Sequence, residues 1–349
     1  MKANVLYGIN DLRYTDYPTP LLKKDEVLVK VMACGICGSD VGRVFKTGTY
    51  HFPTIIGHEF SGVVAAANPD DKEGTKLIGK RVGVFPLKPC FECHNCKEGK
   101  YEMCVNYDYL GSRCDGGFAE FVAVPKWNLI PLPDTVSFEQ AAMLEPCSVA
   151  LHALRRFSSV KGKTLVLFGP GTIGNILIRI ARSLKANKII VVGRNTEKLS
   201  IAKNNGADFI IDSTSENVSE EILNLTENKG AQLIVEGTGA VSCLNDAILA
   251  AKGEGEIVLM GNPAGNYEIE KKVYWQILRK QLKLFGTWNS SFGFSEDDWH
   301  LVLDMMAKGE LNPETLITHT FPLSDLKKGL EIMADKNIIS NKVMVIANG

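Results

Sequence analysis

The chain has 349 residues, 45% of them hydrophobic, and its 39 Lys+Arg against 40 Asp+Glu leave a net charge of −1. That length exceeds what one growing core supports and implies two domains; the charge balance gives no electrostatic reason to bind nucleic acid or an anionic membrane. No apolar run of about 18 residues occurs, and MKANVLYGIN lacks an h-region after its lysine, so a membrane span and a secretory leader are not expected and the protein is placed in the cytoplasm.

Up to about Glu145, short β-type runs alternate with Gly, Pro and Asp: EVLVKVMACG, GVVAAA, KRVGVFP and FAEFVAVP. After the first run, CGICGSD supplies Cys34, Cys37, Ser39 and Asp40, and Gly57, His58 and Glu59 follow. Cys37 and His58 offer zinc one soft sulfur and one imidazole, while a catalytic site needs a third protein donor and an exchangeable position. Glu145, in LEPCSVALHAL, and Glu59 are the two candidates, and exchange between them is compatible with the pattern. Asp40 is placed to orient His58 through its second ring nitrogen. A redox pair at Cys34 and Cys37 would leave His58 and Glu145 unexplained. A carboxylate beside Pro146 in an apolar stretch needs a partner.

Next comes PCFECHNCKEGKYEMC, with Cys90, Cys93, Cys96 and Cys104. The first three are two residues apart, so one tight loop turns three thiolates toward a point and the fourth completes a tetrahedron, the arrangement of a closed structural zinc site. Disulfides need an oxidising compartment that nothing here indicates. An iron–sulfur cluster also takes four thiolates, but the long third gap and the lack of a second cluster motif favour zinc. His94, inside the loop, reads as a solvated residue.

From about His152 the pattern changes. ALHALRRF reads as a helix, and TLVLFGPGTIGNILIRIARSL as strand, glycine turn and helix. KIIVVGR, ADFIIDS, AQLIVEG and GEIVLMG are further strands, with helices at EKLSIAKNNG and LNDAILAAKG. Buried strands alternating with helices imply a doubly wound parallel sheet. Gly169, Gly171, Thr172, Ile173 and Gly174 belong to a G-x-G-x-x-G turn between strand and helix, the context in which that pattern binds a dinucleotide pyrophosphate. The second strand ends in Gly193, Arg194 and Asn195, where an NAD site carries an acidic residue; a guanidinium there suits a ribose phosphate, so NADP(H) is expected over NAD(H). The tail, with helices near DDWHLVLDMMAKG and SDLKKGLEIMADK and a strand KVMVIA, is too short for a third domain. The expected division is residues 1–147 with 286–349, and 148–285.

Taken together, CGICGSD, GHEFSGVV, the four-cysteine lobe, DGGFAEF, LEPCSVALHAL and GPGTIG resemble the zinc-dependent medium-chain dehydrogenase/reductase family over essentially the whole chain. A carboxylate at Glu145, where liver-type alcohol dehydrogenases carry a cysteine, is similar to the polyol branch. RVFKTG, YDYLGSRCDGGFAEF and ILRKQLKLFGTWNSS look most like the galactitol-1-phosphate 5-dehydrogenases. The resemblance implies a GroES-like, β-rich catalytic domain built from both chain ends beside a Rossmann domain. It also implies a catalytic and a structural zinc in each subunit, and a homodimer or homotetramer joined through the nucleotide domains.

The implied reaction moves a hydride between NAD(P) and a secondary alcohol of a polyol or polyol phosphate, giving a ketose, with zinc as Lewis acid. Ser39 resembles the hydroxyl that begins the family's proton relay, but Gly42 stands where a relay histidine is found, leaving water, Glu145 or His51 to take the proton. Arg43, Lys46 and Arg113 lie in segments shared with the polyol-phosphate relatives, and Trp288, Asn289 and Ser290 are candidates for a far wall. Vicinal-diol and threonine-type dehydrogenases are the alternative substrates on this scaffold. A nucleotide or redox sensor without catalysis is the alternative class, disfavoured because it needs no open metal site.

Overall fold

The computed structural model describes residues 1–263, 265–293 and 297–346. Two compact units divide the chain: Met1–Pro146 with the residues from Ser291 onward, and Cys147–Ser290. Strand Lys283–Gly286 pairs in parallel with Ala251–Leu259, so the second unit's sheet runs past residue 285 and the return to the first unit begins later than the expected boundary.

In the first unit the β-branched and aromatic runs form a seven-stranded sheet. Its order is Leu129–Pro131, Arg81–Val84, Glu59–Ala67, Glu26–Ile36, Lys342–Ile346 and Ile317–Phe321, with Phe121–Pro125 also paired to Glu26–Ile36. The strand Lys342–Ile346 runs antiparallel to Glu26–Ile36 with Val343 opposite Ile36, which carries the far end of the chain to the strand that precedes Cys37. Period-two alternation aims Val27, Val29, Ile36, Phe60, Val64, Val122 and Val343 into one core. Each such side chain contributes roughly 1.5–3 kcal/mol of burial.

The second unit is a six-stranded, wholly parallel sheet. Its order is Phe209–Asp212, Lys188–Gly193, Thr164–Phe168, Ala231–Glu236, Ala251–Leu259, Lys283–Gly286, the 3-2-1-4-5-6 order of a Rossmann fold. Helix Val241–Ala250 stops before the expected KG because Ala251 already pairs with Ala231, and a register shift then accommodates the rest of the strand. No helix among the described residues is long and apolar enough to cross a membrane.

Candidate active site and metal centres

Strand Glu26–Ile36 ends one residue before Cys37, and helix Gly38–Gly42 starts immediately after it. Asp40 closes that helix start, its Oδ2 accepting from Cys37 N at 3.0 Å, so the residue read as an orienting acid also fixes the backbone of the thiol it follows. His58 and Glu59 enter from the start of strand Glu59–Ala67. Ahead of them Gly57 has φ +98°, and a Cβ there would sit 2.8 Å from Phe118 Cδ2, so only glycine delivers His58 at this position.

The donor atoms of Cys37, His58 and Glu59 lie within 4.8 Å of one another, with His58 and Glu59 buried. Asp40, fully buried, has Oδ1 3.5 Å from His58 Nδ1 and accepts from Arg43 Nη1 at 2.9 Å. Burial opposes a charge on His58, but the Asp40 and Cys37 charges outweigh it and hold its pKa well above the usual imidazole range. The same negative surround would strengthen the neutral ring as a metal donor through Nε2, with Nδ1 turned toward Asp40.

Glu59 forms a buried ion pair with Lys342, whose Nζ also donates to Ile36 O at 3.1 Å. Burial lowers the Lys342 pKa, yet Glu59, Cys37 and Glu145 together keep it above its ordinary value. Nothing in the sequence marked Lys342. The available signal was a lysine opening an otherwise apolar strand, and Gly35 facing it: a Cβ at Gly35 would overlap Glu59 Oε2 and stand 2.7 Å from Lys342 Cε.

Glu145 stands on the first turn of helix Leu144–Arg155 and is outside the three-residue donor group. Tyr109 Oη donates to its Oε1 at 3.2 Å, and the Tyr109 ring lies 5.7 Å from His58. Burial pushes Glu145 up to about 7, with His58 opposing and Glu59 reinforcing the rise. A cation among these donors would draw that value back down. Ser39 is exposed, its Oγ accepting from Arg43 Nη1 at 2.9 Å. His51 has Nδ1 3.1 Å from both Pro53 O and Thr54 Oγ1 and Nε2 3.1 Å from Arg113 O, so each ring nitrogen already faces a protein partner.

The four-cysteine lobe is a separate cluster in the same unit. Sγ separations are 3.9 Å for Cys90–Cys96, 4.0 Å for Cys93–Cys104 and 3.5 Å for Cys104–Cys90. Sulfurs about 2.3 Å from a central zinc form a tetrahedron with edges of about 3.8 Å, so the spacing fits the ion. Backbone N–H groups of Cys96 and Val105 pull Cys93 down to about 6, toward the thiolate a metal requires. Trp127 anchors the loop against Phe91 and Tyr101, both at 5.0 Å or thereabouts by ring centroid. His94 is exposed and outside the cluster.

In the second unit Gly169 has φ +106° and donates to Val192 O at 2.9 Å, making the tight turn. A Cβ on Gly174 would overlap Gly169 O, whereas one on Gly171 would meet nothing within 4 Å. The third glycine is therefore demanded by packing, while the second leaves open space at the start of helix Thr172–Ser183, which has no side-chain cap. Uncapped N–H groups beside open space suit a pyrophosphate. Ile173 is half-buried in the first turn. Asn175, which sequence reasoning passed over, donates to Pro170 O at 3.2 Å and Gly171 O at 3.0 Å and holds the turn. A Cβ on Gly193 would press within 2.7 Å of Pro170 Cγ. Asn195 caps helix Thr196–Asn204 by accepting from Lys198 N at 2.8 Å, and Arg194 is exposed, with no ion pair among the described residues. Trp288 is half-exposed and Ser290 buried at the end of this unit.

Two family models match the chain: the alcohol dehydrogenase GroES-like domain over residues 23–134 and the zinc-binding dehydrogenase over residues 172–308. Galactitol 1-phosphate 5-dehydrogenase of Escherichia coli (strain K12) is 33% identical over 339 residues, covering 96% of this chain and 96% of that protein. The chain belongs to the zinc-dependent medium-chain dehydrogenase family. The crystal structure of galactitol-1-phosphate dehydrogenase from Escherichia coli superimposes with TM-score 0.92 at 32% identity, over 99% of this chain and all of that one. RspB from Escherichia coli CFT073, complexed with NADH, gives TM-score 0.91 at 29% identity over 99% of both chains. The protein is accordingly an enzyme of the zinc-binding alcohol dehydrogenase type, with a GroES-like and a Rossmann-type unit.

Proposed function

We propose that this enzyme is a zinc-dependent dehydrogenase that transfers a hydride between a nicotinamide coenzyme and a secondary alcohol of a polyol or polyol phosphate, yielding a ketose. In this reading Met1–Pro146 with the residues from Ser291 onward form the catalytic domain, and Cys147–Ser290 the coenzyme domain. The juxtaposition of Cys37, His58 and Glu59 around one point, with Glu145 feeling the charges of His58 and Glu59, carries it. The galactitol 1-phosphate relative supports the substrate class.

When bound, zinc supplies Lewis acidity to the substrate hydroxyl and the nicotinamide accepts the hydride. Cys37 and His58 would hold the metal, with Asp40 facing the imidazole from behind. Glu59 and Glu145 are the two carboxylates available for the third position, Glu59 restrained by Lys342 and Glu145 by Tyr109. Ser39 Oγ takes one hydrogen bond from Arg43, leaving its own proton to hand on to solvent. Glu145, which accepts from Tyr109 Oη at 3.2 Å, is the carboxylate that could take up a proton when Glu59 fills the third position. Cys90, Cys93, Cys96 and Cys104 would hold a second, structural zinc. Arg194, exposed beside Asn195, favours NADP(H) over NAD(H). The enzyme works in the cytoplasm as a homodimer or homotetramer.

The test is the initial rate of nicotinamide reduction by the zinc-loaded protein with galactitol 1-phosphate, galactitol, sorbitol and 2,3-butanediol, each with NADP⁺ and NAD⁺. Turnover of a polyol or its phosphate, faster with NADP⁺, is expected. Turnover of the diol alone would remove the polyol assignment, and equal efficiency with NAD⁺ would remove the coenzyme preference.

A further inference from the structure

Four cations of the first unit stand on the segments that build the Cys37–His58–Glu59 centre or lie next to it. Lys342 is sealed in its pair with Glu59, and Arg43 is already neutralised by Asp40, its Nη1 donating to Asp40 and Ser39. Lys46 is exposed on the turn Arg43–Thr47, a point charge on a flexible stem. Arg113 differs from all three. Its Cζ lies 4.2 Å from the Tyr50 ring centroid and 4.5 Å from that of Tyr107, yet among the described residues the guanidinium makes no ion pair and donates to no acceptor. The acidic neighbours do not satisfy it: Asp108 is exposed, and Asp115 spends Oδ1 on Ile55 N at 2.9 Å.

The same rings lead to the metal donors. Tyr107 packs against Tyr109 at 6.4 Å, and Tyr109 reaches His58 with its ring and Glu145 with its hydroxyl. Arg113 O also lies 3.1 Å from His51 Nε2, tying its loop to the segment that carries Tyr50. Cation–π contacts hold a guanidinium in place without consuming an N–H, so its planar fork stays available for a doubly accepting oxyanion. Holding the fork before binding also lowers the ordering cost of capture.

We propose that Arg113, held by Tyr50 and Tyr107, binds the phosphate of the substrate, which makes the substrate class of this site the phosphorylated polyols. This rests on the polyol dehydrogenase reading above and adds the group that selects among polyols. A free polyol offers no anion for the fork, whereas a phosphate at one end of the carbon chain anchors it while a hydroxyl further along meets the metal donors.

The experiment compares kcat/KM for galactitol 1-phosphate and galactitol in the zinc-loaded full chain, its Arg113→Ala variant and its Arg113→Lys variant, with inorganic phosphate as a competitive inhibitor. We expect the wild type to prefer the phosphorylated substrate. Arg113→Ala should cut that preference by about 10- to 100-fold, mostly through KM, the loss expected for a charge-assisted hydrogen bond. The inhibition constant for phosphate should rise in parallel, and Arg113→Lys should recover only part because it lacks the fork. An unchanged preference ratio in Arg113→Ala overturns the assignment. So does a wild type that oxidises only free polyols, although the polyol dehydrogenase reading then survives; oxidation of neither polyol overturns both. Should Arg113→Ala fail to fold, the ratio and the phosphate inhibition in Arg113→Lys decide the matter.

Discussion

The two metal-donor clusters of the first unit are built on opposite plans. Cys90, Cys93, Cys96 and Cys104 come from one 15-residue stretch, and their sulfurs are arranged by that loop's own backbone, Cys90 N donating to Cys104 Sγ at 3.3 Å and Cys93 N to Cys90 Sγ at 3.4 Å. Cys37 and the adjacent pair His58 and Glu59 come from two segments and are set by charged side chains around them: Asp40, Arg43 and Lys342. A closed cluster with four equal donors needs only a shaped loop. An open one with three unlike donors needs each aimed separately, and here fixed charges from both ends of the chain do the aiming. A metal on the first plan would put its binding free energy into local folding, and one on the second would spread it through the unit's core.

The largest effect should come from breaking the local plan. Cys96 is the buried member of the helix His94–Lys97, so Cys96→Ser removes a soft donor where no other residue can substitute. Because a structural zinc contributes folding free energy directly, the loss should reach about 4 kcal/mol or more, lowering Tm by roughly 10 °C. Bound zinc should fall from two to one per chain by atomic absorption. Retention of two zinc ions with unaltered Tm would mean that the lobe does not bind metal as described.

Lys342→Met probes the other plan with a somewhat smaller cost. It leaves Glu59 buried without its cation, and breaking such a pair from one side costs about 3–5 kcal/mol. The expected signature separates the two clusters: the lobe zinc is kept, while metal at the Cys37 centre binds with altered affinity because Glu59 is no longer held. A double variant with Glu59→Gln should recover part of the lost stability, since the unpaired charge is gone. If Lys342→Met unfolded no more readily than the wild type, the pair would be a bystander and the distributed plan would rest on Asp40 alone.

The same contrast explains what was legible beforehand. Donors two residues apart announce themselves, so the lobe could be read from PCFECHNCKEGKYEMC, as could the glycine turn from its place between TLVLF and NILIRIARSL. Cys37, His58 and Glu59 could be nominated by residue type, but Lys342 could not, because it joins them only through the antiparallel pairing of Val343 with Ile36. Arg43 stood out only as a cation in a segment shared with the polyol-phosphate relatives, and its pairing with Asp40, the acid three residues earlier at helical spacing, came from the structure. His51 looked able to relay a proton until the fold brought Arg113 O to its Nε2. In each case the missing knowledge is a contact between residues distant in sequence or a competing local partner, which residue type alone does not carry.

Asp40→Asn should produce the smallest of these effects and the most telling one. The substitution keeps size and one acceptor, so the bond from Cys37 N can persist and the fold should hold, while the charge facing His58 Nδ1 at 3.5 Å disappears. With it goes the main force that offsets burial and keeps that imidazole basic. A carboxylate behind a metal-binding histidine is worth about 10- to 100-fold in affinity or activity, so kcat/KM and zinc affinity at the Cys37 centre should fall by that factor together. Arg43 loses its carboxylate in the same step but is partly solvated, and Arg43→Met on its own should therefore cost less than Asp40→Asn. If Asp40→Asn left both quantities unchanged, His58 would be aimed by packing against Tyr109 and the strand alone, and the open centre would then be organised by its own segments much as the lobe is by its loop.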